Sequence, residues 1–426
     1  MKSLTRPTPT SKTAQYITDY LVIGKGLFGS AAAYHLSKLD AEVLLVGSDE
    51  PANWSTHTGV FASHYDEGRI VSQSAPDEDL AFLDRASIAA YDGITRESGI
   101  SFFVSTGRLT AQPEDQPVVY PYLAPNDTAC HRFARKELED QYPFRIPFDY
   151  SVVYEDPPSG HLNPRAMVRA QIVAAQKRGI EVISGLVTEI LNRNSYIETR
   201  LKSGETIHSQ KVLIATGAFA NCFGLLGEKL AIRAENLTTI LCEVSEETAV
   251  ALRSLPPLNY RQFNHPLIHT SVLPPVPYPD GRYFIKLSLT TIADRLLPNF
   301  EAMSTWFCRS QAFPYLAETK ALMLKMLPSI EILSWHIKPC IAAYTPSQKP
   351  MIDVLVDGRI YVAVGGNAGS AHPSHAIGKL AADLLHHNRW RSELDHKPFQ
   401  LQYAADWHDW MTGYATLWLT DYENEQ

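Results

Sequence analysis

Residues 20–47 read YLVIGKGLFGSAAAYHLSKLDAEVLLVG, and this stretch decides the fold. Tyr20–Ile23 is an apolar run of strand length. The turn Gly24-Lys25-Gly26-Leu27-Phe28-Gly29 follows, a small-residue helix starts near Ser30, and Val43–Gly47 is a second apolar strand. With connections this short the segment is a β-α-β unit. A GxGxxG spacing alone is a weak signal, but between a strand and a helix it has a mechanism. Gly24 permits the tight turn, Gly26 lets backbone approach a pyrophosphate, and Gly29 allows close helix–strand packing. Leu27 and Phe28 then lie where a helix N-terminus offers unpaired N–H groups to phosphate. An acid at the end of the second strand usually binds the ribose. Here Gly47 stands there, followed by Ser48-Asp49-Glu50. Either Ser48 or Asp49 takes that role, or the two acids are ordinary loop residues.

Working outward, residues 50–70 form a loop and a helix is expected from about Asp77 to Ser98. STGRLTA from Ser105 reads as a strand. A helix runs from Asn163, its cap, through Pro164 at the first position, to Arg178. GIEVISGLVTEI is strand, turn, strand, and KVLIATGAF is a buried strand ending in a glycine turn. Residues 235–330 change character: Pro-Pro pairs at 256 and 274 and alternating segments such as TTILCEV and RYFIKLSL suggest a mainly antiparallel sheet. Near Ile360 the α/β pattern returns, with RIYVAVGGNAG followed by the helix SHAIGKLAADLLHHN. The expected fold class is α/β: a Rossmann-like nucleotide domain interrupted by an antiparallel-sheet substrate domain. Its discontinuous nucleotide part comprises 16–105, 151–232 and 335–390. The inserted part comprises 106–150 and 233–334, with a disordered tail over 1–15 and a C-terminal tail over 391–426.

The chain has 426 residues, 38 Lys and Arg against 46 Asp and Glu, and a net charge of −8. That balance argues against binding nucleic acid by phosphate neutralisation. No apolar run approaches the roughly 20 residues that span a bilayer. The first fifteen residues contain no hydrophobic segment of the secretory kind, and the five cysteines are scattered, with neither disulfide nor zinc-ligand spacing. These features suggest a cytoplasmic protein, a monomer or small homo-oligomer, without a metal site or a membrane or nucleic-acid partner.

Two later turns favour FAD over NAD. Ala215-Thr216-Gly217-Ala218 ends one strand, and Gly365-Gly366-Asn367-Ala368-Gly369 ends another before Ser370 and a helix. A second glycine turn at a helix start can direct backbone donors at the flavin carbonyl and N1, stabilising the reduced, anionic ring. Only one strand–GxGxxG–helix unit is evident, so electrons come from the substrate rather than from NAD(P)H.

At this point the sequence resembles the D-amino-acid-oxidase superfamily, and within it the monomeric sarcosine oxidase branch. The matching stretches include ASHYDEGRI, STGRLT, EDPPSGHLNPRAMVRA, VLIATGAF, YFIKLS, AYTPSQKPMID and VAVGGNAG, in order along most of residues 20–385. The resemblance implies FAD, a sheet-rich substrate domain, and oxidation of a C–N bond by hydride transfer to flavin N5. It implies an arginine beside the flavin ring at Arg69, near Ser63 and His64, and an oxygen-activating lysine near N5 at Lys286. Val187 matches a residue whose backbone meets the adenine, and Tyr344 a tyrosine near the substrate. On the residues alone, Arg69 also suits a surface ion pair, Lys286 a solvent-facing strand lysine, and Tyr344 a core aromatic.

The departures matter as much. Relatives that attach FAD through cysteine carry it where Ala342 stands, and Cys340 is two residues, about 7 Å, away on the same strand face. Non-covalent FAD is therefore expected, with a link through His57 or His64 as the lesser alternative. The family's two carboxylate-clamping positions are Ser72 and His372, neither a permanent cation. The substrate is then a larger amine or modified amino acid, with His372 binding a polar group, titrating or packing. The leading reading is an FAD-dependent amine oxidase using O2 and releasing H2O2. A dehydrogenase or tailoring enzyme with another acceptor, and a non-catalytic flavin-binding protein, are the alternatives.

Overall fold

Strand Tyr16–Ile23 lies in the middle of an eight-stranded mixed sheet, paired in parallel with Val43–Gly47 on one side and Thr206–Ile214 on the other. The computed structural model describes residues 15–115, 130–263, 265–309, 312–356 and 358–406. Glu181–Ser184 extends the sheet beyond Val43–Gly47. On the opposite side Thr206–Ile214 divides its outer edge. Its first half pairs with the antiparallel strand Ile197–Leu201, and its last three residues pair in parallel with Ile360–Val364. Strands Val43–Gly47 and Ile360–Val364 are buried along their whole length because helices or loops cover both faces.

Helix Leu27–Leu36 follows the first glycine turn and packs on Ser374–His387, the helix after the second. Small residues permit this approach: a Cβ on Gly378 would sit 2.3 Å from Ala31 Cβ and 2.7 Å from Ala32 N. The caps agree with the sequence. Asp77 accepts from Leu80 N at the start of Glu78–Ser98, and Asn163 accepts from Ala166 N at the start of Pro164–Gln176.

The second sheet has eight strands and one parallel pair, Arg108–Pro113 with Leu258–Arg261. Its period-2 pattern gives each face a different chemistry. Leu258, Tyr260, Val272, Leu287, Leu289 and Ile240 turn into an apolar core. On the other face, Asn259 opposes Ser271, Arg261 opposes His269, Ser271 opposes Ser288, His269 opposes Thr290, and Leu273 opposes Lys286.

Three expectations change. Strands Tyr150–Glu155 and Ser334–Tyr344 pair within this second sheet, so the boundaries drawn at 151 and 335 fall inside inserted-sheet strands. The single strand read from Ser105 is two, Phe103–Ser105 and Arg108–Pro113, in different sheets. Gly107, at φ +72°, makes the break, where a Cβ would meet the Tyr154 ring. The C-terminal segment packs back as far as residue 406, with Phe399 buried and Ala231 N bonded to Gln402 O at 2.7 Å. The tail at 1–14, the segment 116–129 and the stretch 407–426 lie outside the described residues.

Candidate functional site

A cavity of about 530 Å³ opens between the two sheets. Its walls bring together almost every residue singled out from the sequence. Gly24, Gly26, Leu27, Phe28 and Ser48 line one end, with Val187, Thr216 and Gly217 beside them. Ser63, His64 and Arg69 line the middle. Gly365–Ser370, His372, Tyr344 and Lys286 line the other end. Gly29 does not line it; a Cβ there would meet Gly24 O at 1.7 Å, so its part is packing beneath the turn.

The first turn is built for backbone approach. Gly24 lies at φ +106°, where a Cβ would fall 2.3 Å from Ala215 O. Gly26 is the N-cap of Leu27–Leu36, a helix with no side-chain cap and no acid in its first turn, so its leading N–H groups remain for an anion. Asp49 does not line the cavity: it pairs with Lys25 and accepts from Ser184. Ser48 is the residue of that pair that stays at the cavity wall. Gly47 has no room for the acid commonly found there, since a Cβ would lie 2.7 Å from Lys25 N.

The second turn is held to the second sheet. Asn367, at φ +46°, donates its backbone N–H to Ala343 O at 2.8 Å, and its Oδ1 accepts from Thr345 N at 2.8 Å. The turn is thereby fixed beside Tyr344, which is buried at the end of its strand.

Lys286 is fully buried, so it is not a solvent-facing strand lysine. Its Nζ pairs with Asp66 and donates to Gly68 O at 2.6 Å. Arg69 pairs with the same carboxylate, Tyr278 donates to it at 2.7 Å, and Lys338 Nζ lies 3.6 Å away. Burial opposes ionisation of Asp66, but Lys286, Arg69 and Lys338 hold its carboxyl well below the usual range. Burial, then Arg69, brings Lys286 down to about 8, with Asp66 opposing.

His372 is held from behind. Its Nδ1 lies 2.7 Å from Oδ1 of buried Asp84, and Tyr91 donates to its backbone oxygen at 2.5 Å. Asp84 and Tyr91 are one face of the helix Glu78–Ser98. Ser72 belongs to a buried network around Glu155, which also takes Ser74 and Arg108, the latter at 2.7 Å. Burial disfavours the Glu155 charge, yet Arg108, Ser159 and Ser74 bring its carboxyl down to about 2.

Sequence reading missed Asp66, Asp84, Arg108 with Glu155, and Arg261 with His269. Asp66 lies three residues before Arg69 in a stretch already singled out, and Arg108 and Glu155 lie in STGRLT and EDPPSG, also singled out; Asp84, Arg261 and His269 lie in none of them.

The residues present fit a flavin dinucleotide. Among the buried polar atoms on the cavity wall, His64 Nδ1 and Thr216 Oγ1 have no hydrogen-bond partner among the described residues. Burial keeps His64 neutral, with a pKa lowered to about 3, in the company of Arg165, Arg69 and Lys25. Five Lys and Arg residues line the cavity against two Asp, in a chain of net negative charge. No helix among the described residues is long and apolar enough to cross a membrane.

Comparison with known proteins agrees with this geometry. The chain is 25% identical over 207 residues to N-methyl-L-tryptophan oxidase from Yersinia pestis strain Pestoides F, covering 47% of this chain and 54% of that protein. It thus spans about half the length of the curated relatives it matches. Among solved structures, NikD, described as an unusual amino acid oxidase essential for nikkomycin biosynthesis, superposes with a TM-score of 0.71 at 17% identity, over 92% of this chain and 98% of that one. Fructosyl amine:oxygen oxidoreductase (amadoriase I) from Aspergillus fumigatus gives 0.68 at 16%, over 97% and 92%. Glycine oxidase from Geobacillus kaustophilus gives 0.64 at 16%, over 91% and 99%. These structural likenesses concern the fold. The model of the DAO family, FAD dependent oxidoreductase, matches residues 19–384, a span that runs through both sheets and the cavity between them, and the chain belongs to that family.

Proposed function

We propose that the protein oxidises a C–N bond of an amine or modified amino acid, with O2 as acceptor and H2O2 as product. The observation that carries this reading is the buried cation Lys286 at the cavity wall, fixed by Asp66 and Gly68 O. A strand lysine with no contact to solvent, beside Arg69, is costly unless the charge is used.

FAD, when bound, takes a hydride from the amine α-carbon and returns two electrons to the acceptor. The glycine turn at 24–26, Ser48, Val187 and Thr216 hold its dinucleotide half, and residues 365–370 its ring half. Arg69 and Lys286 supply positive charge where negative charge develops. With Nδ1 of His372 facing Asp84 at 2.7 Å, Nε2 is the nitrogen that takes a proton from the substrate ammonium. Tyr344 bounds the substrate position. Water then hydrolyses the imine product. Cys340 and Ala342 both line the cavity, but the position that would carry a cysteinyl link is the alanine, which supports non-covalent FAD.

The test is a visible spectrum of purified protein, repeated on the supernatant after acid precipitation, followed by anaerobic titration with secondary amines. Flavin in the supernatant and bleaching by an amine are expected. Colourless protein that does not take up FAD, or flavin that no amine reduces, overturns the reading. Bleaching followed by slow reoxidation in air points instead to a dehydrogenase.

A further inference from the structure

The polar face of the second sheet is a wall of the cavity that neither the flavin nor the residues above require. Arg261, His269, Ser271, Ser288 and Thr290 all line it, on three adjacent strands in direct cross-strand register. A face like this, opposite a fully apolar one, is costly to leave dry. His269 is the most telling member. Its Nε2 is buried and has no hydrogen-bond partner among the described residues. Burial is the main cause of its pKa being lowered to about 3, with Arg261 and then Arg108 adding to it, so the ring is a neutral donor or acceptor between two guanidinium groups.

From this wall we infer an anion subsite centred on Arg261 and His269, which selects amines carrying a carboxylate far from the reacting C–N bond. The inference rests on the amine-oxidation reading and adds the substrate class. The spacing sets the length. Lys286 and Thr290 are four residues apart on one strand, about 13 Å, and Arg261 lies two strands, roughly 10 Å, from Thr290. An α-amino acid is too short to place its nitrogen near Lys286 and its carboxylate near Arg261. A chain of several bonds between the two groups is required. The absent clamp at Ser72 and His372 has the same meaning: the anion is held on the sheet instead.

The test uses FAD-loaded protein and three probes: sarcosine, 6-(methylamino)hexanoate and uncharged N-methylhexylamine. Binding is read from perturbation of the oxidised flavin spectrum, and turnover from anaerobic bleaching. The long carboxylate should bind roughly tenfold or more tightly than either other probe. Arg261→Gln should abolish that preference while leaving N-methylhexylamine binding and FAD content unchanged, and Arg261→Lys should restore part of it. Equal binding of the long carboxylate and N-methylhexylamine, preference for sarcosine, no binding of any probe, or indifference to Arg261→Gln overturns the inference. Selective binding without bleaching upholds the subsite while removing the oxidase reading; bleaching without selectivity does the reverse.

Discussion

Lys286 and Asp66 form an ion pair inside the cavity wall, 220 residues apart in sequence and both nearly inaccessible to solvent. Arg69 and Lys338 share the same carboxylate, so one acid holds three cations together.

If Lys286 acts in the oxygen half-reaction, Lys286→Met slows reoxidation of the reduced enzyme by orders of magnitude and changes anaerobic reduction by an amine far less. Its lowered pKa adds a pH signature. The cation is present below about 8 and is lost as pH rises through that value, so the reoxidation rate should fall above it. Stopped-flow traces across pH 6–10 check both points; equal oxygen rates in variant and parent remove the assignment.

Asp66→Asn takes away the group that keeps Lys286 charged, leaving burial and Arg69 to depress it further. The reoxidation profile should move to lower pH. Stability should drop by about 3–5 kcal/mol, the usual cost of breaking a buried pair. A urea titration beside the kinetic profile separates the two effects.

Asp84→Asn should weaken turnover about 100-fold near neutral pH by releasing His372 from its tautomer. FAD content should not change. The deficit should shrink as pH approaches the pKa of the substrate amine, because a free base needs no proton acceptor. A deficit constant with pH would mean that His372 only packs.

Acid lability follows from buried imidazoles. Burial holds His64, His161 and His375 down to about 3, 4 and 4. Unfolded, each titrates near 6.5 (approximate reference value). Between these limits the unfolded chain binds more protons, so stability falls as pH drops from about 6.5 towards 4. Asp294, which burial raises to about 7, contributes the opposite slope across that window. His269, lowered by burial to about 3, adds to the same side; four imidazoles against one carboxyl leave acidification destabilising, and midpoints of thermal unfolding between pH 7 and 5 should decline. A flat or rising series contradicts the burial of these rings.

Gly378→Ala tests the helix contact beneath the two turns. The added methyl would fall 2.3 Å from Ala31 Cβ and against backbone at Ala32. A loss of about 1–3 kcal/mol is expected, together with weaker FAD retention. Ala368→Gly should act oppositely, since alanine sits there at φ +57° and glycine relieves about 1 kcal/mol of strain.

Legibility in the sequence followed locality. The β-α-β unit, the Asn163 and Asp77 caps and the return to α/β near Ile360 are all set by neighbours within a few residues, so they could be read directly. Lys286 and His372 could be placed by resemblance, but their partners could not. Asp84 is one acid among several on a long helix, and nothing linear says which turn faces residue 372. Arg261 and His269 become a pair only through strand register, which depends on how two strands align. The boundary shifts at 150 and 334 have the same origin: a strand's sheet is chosen by its hydrogen-bond partner, and the partners here are far away in sequence.

The near-contact of Gly378 with Ala31 also makes the cavity a gauge of length. The helices behind the two glycine turns are locked together, so the turns stand at a fixed separation and neither can yield independently. On the reading proposed here, a ligand must touch both stops at once to gain the binding from each. FMN, which ends before the adenylate, would reach only one of them, and discrimination between the two flavins would reside in how closely these two helices pack.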